Sequence, residues 1–153
     1  MSAIPVFSPG KSYPPELATE AQIQRLGLVP IMGRRVVCGL FGISDDYIEK
    51  YQSLDTRFIK NKASTFFFQA ASHSMEPLIF ENDVLIVDRS IEVTHGKVVV
   101  VSVTGELICK RLIKENNKII LRSDNKAYSD ILVTEEMDLV IFGVVVAIAR
   151  ELV

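Results

Sequence analysis

From Thr65 onward the sequence is a series of short β-branched and aromatic runs, each closed by a turn signal, and that pattern leaves few folds open. The runs cover residues 65–70, 84–88, 97–103, 106–112, 118–122 and 139–149. Between them stand Glu81-Asn82-Asp83, His95-Gly96, Thr104-Gly105 and Glu115-Asn116-Asn117. Thr104-Gly105, with a strand-like run on each side, reads as a tight hairpin. Local turns join neighbouring strands antiparallel, so the spacing predicts a mostly β, compact antiparallel domain with one or two short helices. Ser44 can cap a short helix through Tyr51, with Asp45 and Asp46 in its first turn where the helix dipole favours negative charge. A second short helix or turn is expected over residues 54–60.

The other end of the chain has a different character. Prolines 5, 9, 14, 15 and 30 precede residue 31, and Pro77 alone lies beyond. Five of the eight glycines stand at or before position 42. Proline removes backbone donors and glycine pins nothing down, so one modest helix, about residues 17–26, is the most this stretch offers. Residues 1–38 carry four basic and two acidic groups, against 13 and 17 in residues 39–153. An extended, slightly basic N-terminal arm therefore precedes an acidic body. Taken alone, such an arm reads equally well as a loose terminus.

Composition narrows the function classes. The 153 residues carry a net charge near −2, which argues against a module living on nucleic-acid phosphate. No apolar run approaches the ~20 residues that span a bilayer, and the start lacks the features of a secretory signal, so a cytoplasmic protein is expected. Cys38 and Cys109 are too few for a disulfide framework and have no metal-ligand spacing. With two histidines and no phosphate-binding glycine loop, the sequence calls for neither metal nor cofactor. His95 lies in a turn and reads as a solvated polar residue. His73 is the neighbour of Ser74, and adjacent residues of an extended chain face opposite ways, so no Ser-His pair is expected.

What remains is Ala71-Ser72-His73-Ser74-Met75-Glu76-Pro77 and the strand Lys110 occupies. A serine on a turn at a strand exit can project its hydroxyl into a cleft rimmed by backbone N–H groups, an arrangement that can hold an oxyanion. With histidine removed, the base would be lysine. In Glu106-Leu107-Ile108-Cys109-Lys110-Arg111-Leu112 the period of two puts Lys110 on one face with Ile108 and Leu112. Desolvation there can lower a lysine pKa enough to make it a general base, which arginine could not become. The same spacing also fits a lysine snorkelling from an edge strand, and Ser74 alone also fits an ordinary turn residue.

Two longer segments sharpen the choice. Ser74-Met75-Glu76-Pro77 with Asn82-Asp83-Val84-Leu85-Ile86-Val87-Asp88, and His95-Gly96-Lys97-Val98-Val99 running through Gly105-Glu106 to Lys110, resemble the nucleophile and lysine segments of the LexA/UmuD family of self-cleaving serine–lysine peptidases. Phe142-Gly143-Val144-Val145 is similar to the family's closing strand. The resemblance covers residues 38–153 and implies a LexA/signal-peptidase-like fold with Ser74 as nucleophile and Lys110 as base. It further implies that Cys38-Gly39 is the scissile bond, so that residues 1–38 are an arm removed by self-cleavage and residues 39–153 the peptidase-like domain that dimerises. Ser72-His73 stand where the family often has glycine and an acidic residue. Ser72-His73-Ser74-Met75 is similar instead to bacterial signal peptidases, where the first serine can help hold the oxyanion, so Ser72 and His73 are expected beside that site. A repressor of this family needs an N-terminal DNA-reading domain, for which a 38-residue arm leaves no room; the arm resembles that of the UmuD-like mutagenesis branch. That branch implies a homodimer, cleavage stimulated by a RecA–single-stranded DNA filament, and assembly with a UmuC-like Y-family DNA polymerase for translesion synthesis in the SOS response. The alternatives are a non-cleaving interaction subunit of a DNA polymerase and a LexA-like regulator without a DNA-binding domain.

Overall fold

A computed structural model describes residues 12–32 and 48–153. The chain divides into two compact units, residues 1–60 and 61–153. The expected boundary between Cys38 and Gly39 lies outside the described residues.

In the first unit a 3-10 turn, Pro15–Leu17, leads into helix α1, Glu20–Leu26. The helix begins later than its apolar residues suggest because Thr19 takes the cap: Gln22 N donates to Thr19 Oγ1, and Thr19 N donates to Gln22 Oε1. Gly27 ends it at φ 60°, the left-handed conformation that costs glycine least. Strand β1, Val29–Met32, then pairs antiparallel with β2, Ile48–Gln52. The helix expected up to Tyr51 is therefore corrected over residues 48–51, while residues 44–47 lie outside the described set. Tyr51 has strand partners on both sides, Pro30 in β1 and Tyr13, with which it exchanges backbone bonds of 2.9 and 2.7 Å. Cross-strand pairing of this kind overrides a local capping signal. Helix α2, Leu54–Phe58, is capped by Ser53, whose hydroxyl accepts from Thr56 N.

The second unit is a seven-stranded, wholly antiparallel sheet of β3 (Thr65–Gln69), β4 (Val84–Asp88), β5 (Val98–Val103), β6 (Glu106–Glu115), β7 (Lys118–Arg122), β8 (Ile131–Leu132) and β9 (Leu139–Ala149). The spatial order is β3-β4-β9-β5-β6-β7-β8, so β5 lies in the middle. Val98 to Val101 are all buried because the two faces of β5 feed different cores. Val98 and Val100 join Met75, Ile79, Leu85 and Val87, whereas Val99 and Val101 join Leu112, Leu121 and Val144. Strand β9 crosses both neighbours with register shifts near Val87 and Val101. Gly143 belongs there: a Cβ on it would stand 2.9 Å from Val87 Cγ1 and 3.1 Å from the Asp88 carbonyl oxygen.

Two tight turns set the register that matters for the site. Thr104 and Gly105 take φ of 50° and 83°, and Asn116 and Asn117 take 49° and 60°, the positive values two-residue hairpins require. Counting from the first turn places Lys110 opposite fully buried Val99. Counting from the second, where Arg111 is opposite Arg122, places Ser123 against Lys110 one step beyond the ladder.

Candidate functional site

The segment after β3 is a compact turn whose apolar residues anchor it. Met75 and Ile79 are buried in the core below, and Ile79 N donates to the Met75 carbonyl at 3.0 Å. Rooting the turn on these side chains leaves Ser74, 5% exposed, at the wall of a cleft of about 410 Å³. Ser72, Ser74, Leu107, Lys110 and Tyr128 line that cleft. The sequence-derived pair therefore meets in one cavity, although Ser74 comes from the turn after β3 and Lys110 from the middle of β6.

Ser72 touches Ser74 twice. Its Oγ lies 3.1 Å from Ser74 Oγ and accepts from Ser74 N at 3.4 Å. His73, expected beside the oxyanion with Ser72, instead turns outward. Its Nδ1 lies 2.6 Å from Glu76 Oε1 and its Nε2 3.6 Å from Glu81, and the hydrogen bond and charge of Glu76 raise its pKa above the usual histidine value. The His73 ring does not line the cleft. His95 also does more than face solvent: its Nδ1 accepts from Lys114 N at 3.0 Å. Cys38 and Gly39 lie outside the described residues.

Lys110 is 8% exposed, and burial pushes its amine below the ordinary lysine range, with Cys109 opposing that shift. Its Nζ donates to Ser123 Oγ at 2.8 Å and lies 5.6 Å from the centre of the Tyr128 ring. Among the described residues it has no carboxylate partner, so no ion pair offsets the burial that disfavours its ammonium form. The Cys109 thiol is pushed up to about 11, chiefly by burial, which keeps it a packing residue at neutral pH. A buried hydroxyl and an under-compensated amine in one cleft can together perform proton transfer and nucleophilic attack.

Ser123 and Tyr128 are the site residues that reading the motifs missed. Ser123 could have been found by counting outward from Asn116-Asn117, because a two-residue turn there pairs positions whose numbers give Arg111 opposite Arg122. Tyr128 carries no such signal, since it lies in the irregular stretch after β7.

Residues 30–146 match the Peptidase S24-like family. The chain is 30% identical over 142 residues to the LexA repressor of Clostridium kluyveri, covering 92% of this chain and 68% of that protein. It is 28% identical to the LexA repressor of Photobacterium profundum, covering 93% and 73%, and 31% identical to that of Ectopseudomonas mendocina, covering 96% and 67%. Among the described residues no helix is long and apolar enough to cross a membrane. With its antiparallel β architecture and its match over most of its length, the chain belongs to the Peptidase S24-like family of self-cleaving serine peptidases.

Proposed function

We propose that the protein cleaves its own chain between Cys38 and Gly39, with Ser74 as nucleophile and Lys110 as base. The observation that carries this reading is that Ser74 and buried Lys110 line one cleft, with the lysine lacking a carboxylate partner among the described residues. Neutral Lys110 Nζ takes the proton from Ser74 Oγ as that oxygen bonds to the Cys38 carbonyl carbon. The carbonyl oxygen becomes an oxyanion, held by backbone N–H groups around Ser74, with Ser72 assisting. As the intermediate collapses, the Cys38–Gly39 C–N bond breaks and the Lys110 ammonium gives its proton to the Gly39 amine. Lys110 then takes a proton from a water whose oxygen bonds to the Cys38 carbonyl carbon. The ester C–O bond breaks, the Lys110 ammonium returns the proton to Ser74 Oγ, and Cys38 leaves as a carboxylic acid that ionises to the carboxylate. Because the substrate is tethered, effective concentration replaces affinity, and docking of the arm gates the rate.

By its resemblance, the protein acts as a UmuD-like subunit of the SOS response in the cytoplasm. A RecA filament on single-stranded DNA favours the docked arm, and the trimmed homodimer joins a UmuC-like Y-family polymerase for translesion synthesis. The relatives are repressors, which favours a second reading, a LexA-like regulator. Incubation of the full chain with RecA filaments, followed by intact-mass analysis, tests the cut; a chain still intact after prolonged incubation contradicts it. Primer extension past a lesion by a Y-family polymerase with and without the trimmed protein separates the two readings, since only the polymerase subunit raises bypass.

A further inference from the structure

We propose that Ser123 is a positioning residue for Lys110, holding its amine toward Ser74 from a three-residue turn that ties the two halves of the site together. This inference rests on the proposed Ser74–Lys110 reading. Lys110 Nζ donates to Ser123 Oγ at 2.8 Å, a contact buried from solvent. A neutral amine has two N–H groups and one lone pair. Donating an N–H to Ser123 uses one hydrogen and leaves the lone pair for the Ser74 proton.

The neighbours of Ser123 fix its place. Asp124 accepts from Arg111 Nε and Nη2 at 2.9 and 2.7 Å, clamping the turn to the residue that follows Lys110. Asn125 N donates to the Ser74 carbonyl at 3.0 Å, and Asn125 Nδ2 donates to the His73 carbonyl at 3.0 Å. Three consecutive residues thus reach the lysine, its strand and the backbone of the nucleophile turn. Bidentate and backbone bonds of this kind resist small displacements, and a shift of ~1 Å between nucleophile and base is enough to slow a reaction sharply. The groups near the amine that can carry charge are Cys109, Tyr128, the Arg111–Asp124 pair and Glu106 in the cleft wall. None of them replaces the Ser123 hydroxyl as acceptor for Nζ.

The test is the pH profile of self-cleavage by the full chain, followed by intact mass, for wild type, Ser123→Ala, Ser123→Thr, Ser74→Ala and Lys110→Ala. Removing the acceptor destabilises the ammonium form, so in Ser123→Ala the midpoint of the rise falls by about one pH unit, while the plateau rate drops about tenfold as the amine loses its aim. Ser123→Thr restores both. An unmoved midpoint in Ser123→Ala overturns the proposal, whether or not the rate falls, because a structural role alone lowers the rate without shifting the titration. Should Ser123→Ala fail to fold by thermal unfolding, Ser123→Cys, a weaker acceptor of similar shape, must shift the midpoint in the same direction. A wild-type chain that never cuts, or a Lys110→Ala chain that cuts as fast, overturns the dyad itself and Ser123's role with it.

Discussion

Lys110 and Asp83 are both buried charged residues on the same sheet unit, and their surroundings differ in kind. Asp83, 1% exposed, accepts from Arg150 Nε and Nη2 at 2.5 and 2.6 Å and from Phe80 N at 2.8 Å. The Arg150 hydrogen bond leads in holding its carboxyl below the usual range. Lys110 has a serine hydroxyl and an aromatic ring. A buried charge kept for architecture is neutralised by a partner, whereas one kept for chemistry is left able to lose its proton. The contrast makes opposite predictions for activity and stability at the two positions.

The largest effect is expected at Lys110. Lys110→Arg keeps the charge but cannot serve as the proposed base, and self-cleavage falls by on the order of a thousandfold or more, read by intact mass. Asp83→Ala leaves cleavage chemistry in place but removes the partner of Arg150 and of Phe80 N, so it lowers unfolding stability by about 2 kcal/mol in denaturant titration. The acid limb carries the same sign: Asp83's folded pKa is depressed, so its contribution is present above its unfolded pKa and is lost as pH falls through the folded value. Lys110→Met has the reverse sign, raising stability at neutral pH by about 1 kcal/mol in the same titration. Lysine's folded pKa lies below its unfolded one, so the cost of burying the ammonium is full below the folded pKa. That cost fades as pH rises toward the unfolded value of about 10.4, and the advantage of methionine fades with it. The smallest effect concerns the turn that sets Lys110 opposite Val99. Thr104 is β-branched at φ 50°, so Thr104→Asn raises the thermal midpoint, with a gain of about 0.5 kcal/mol.

Much of this contrast is legible in the sequence at Lys110 and little of it at Asp83. Alternation along β6 places Lys110 with Ile108 and Leu112, and Leu112 and Ile108 do pack in one cluster. The runs at 84–88, 118–122 and 139–149 are strands with those bounds. Asp83 reads as part of a polar turn, because its partner Arg150 lies 67 residues away and no local pattern announces it. For the same reason β2 reads as helix: its partners, Tyr13 and β1, are distant in sequence. Short-range periodicity carries the strands, and long-range pairing decides which charges are compensated.

The most direct test of the dyad is intact-mass analysis of the full chain held at about pH 7 and about pH 10, beside Ser74→Ala and Lys110→Ala. A Ser74–Lys110 mechanism predicts a cut between Cys38 and Gly39 in wild type, faster at the higher pH as the lysine deprotonates, and no cut in either variant. A wild-type chain that stays whole at both values, even with RecA filaments added, or a cut that persists without Lys110, would contradict it.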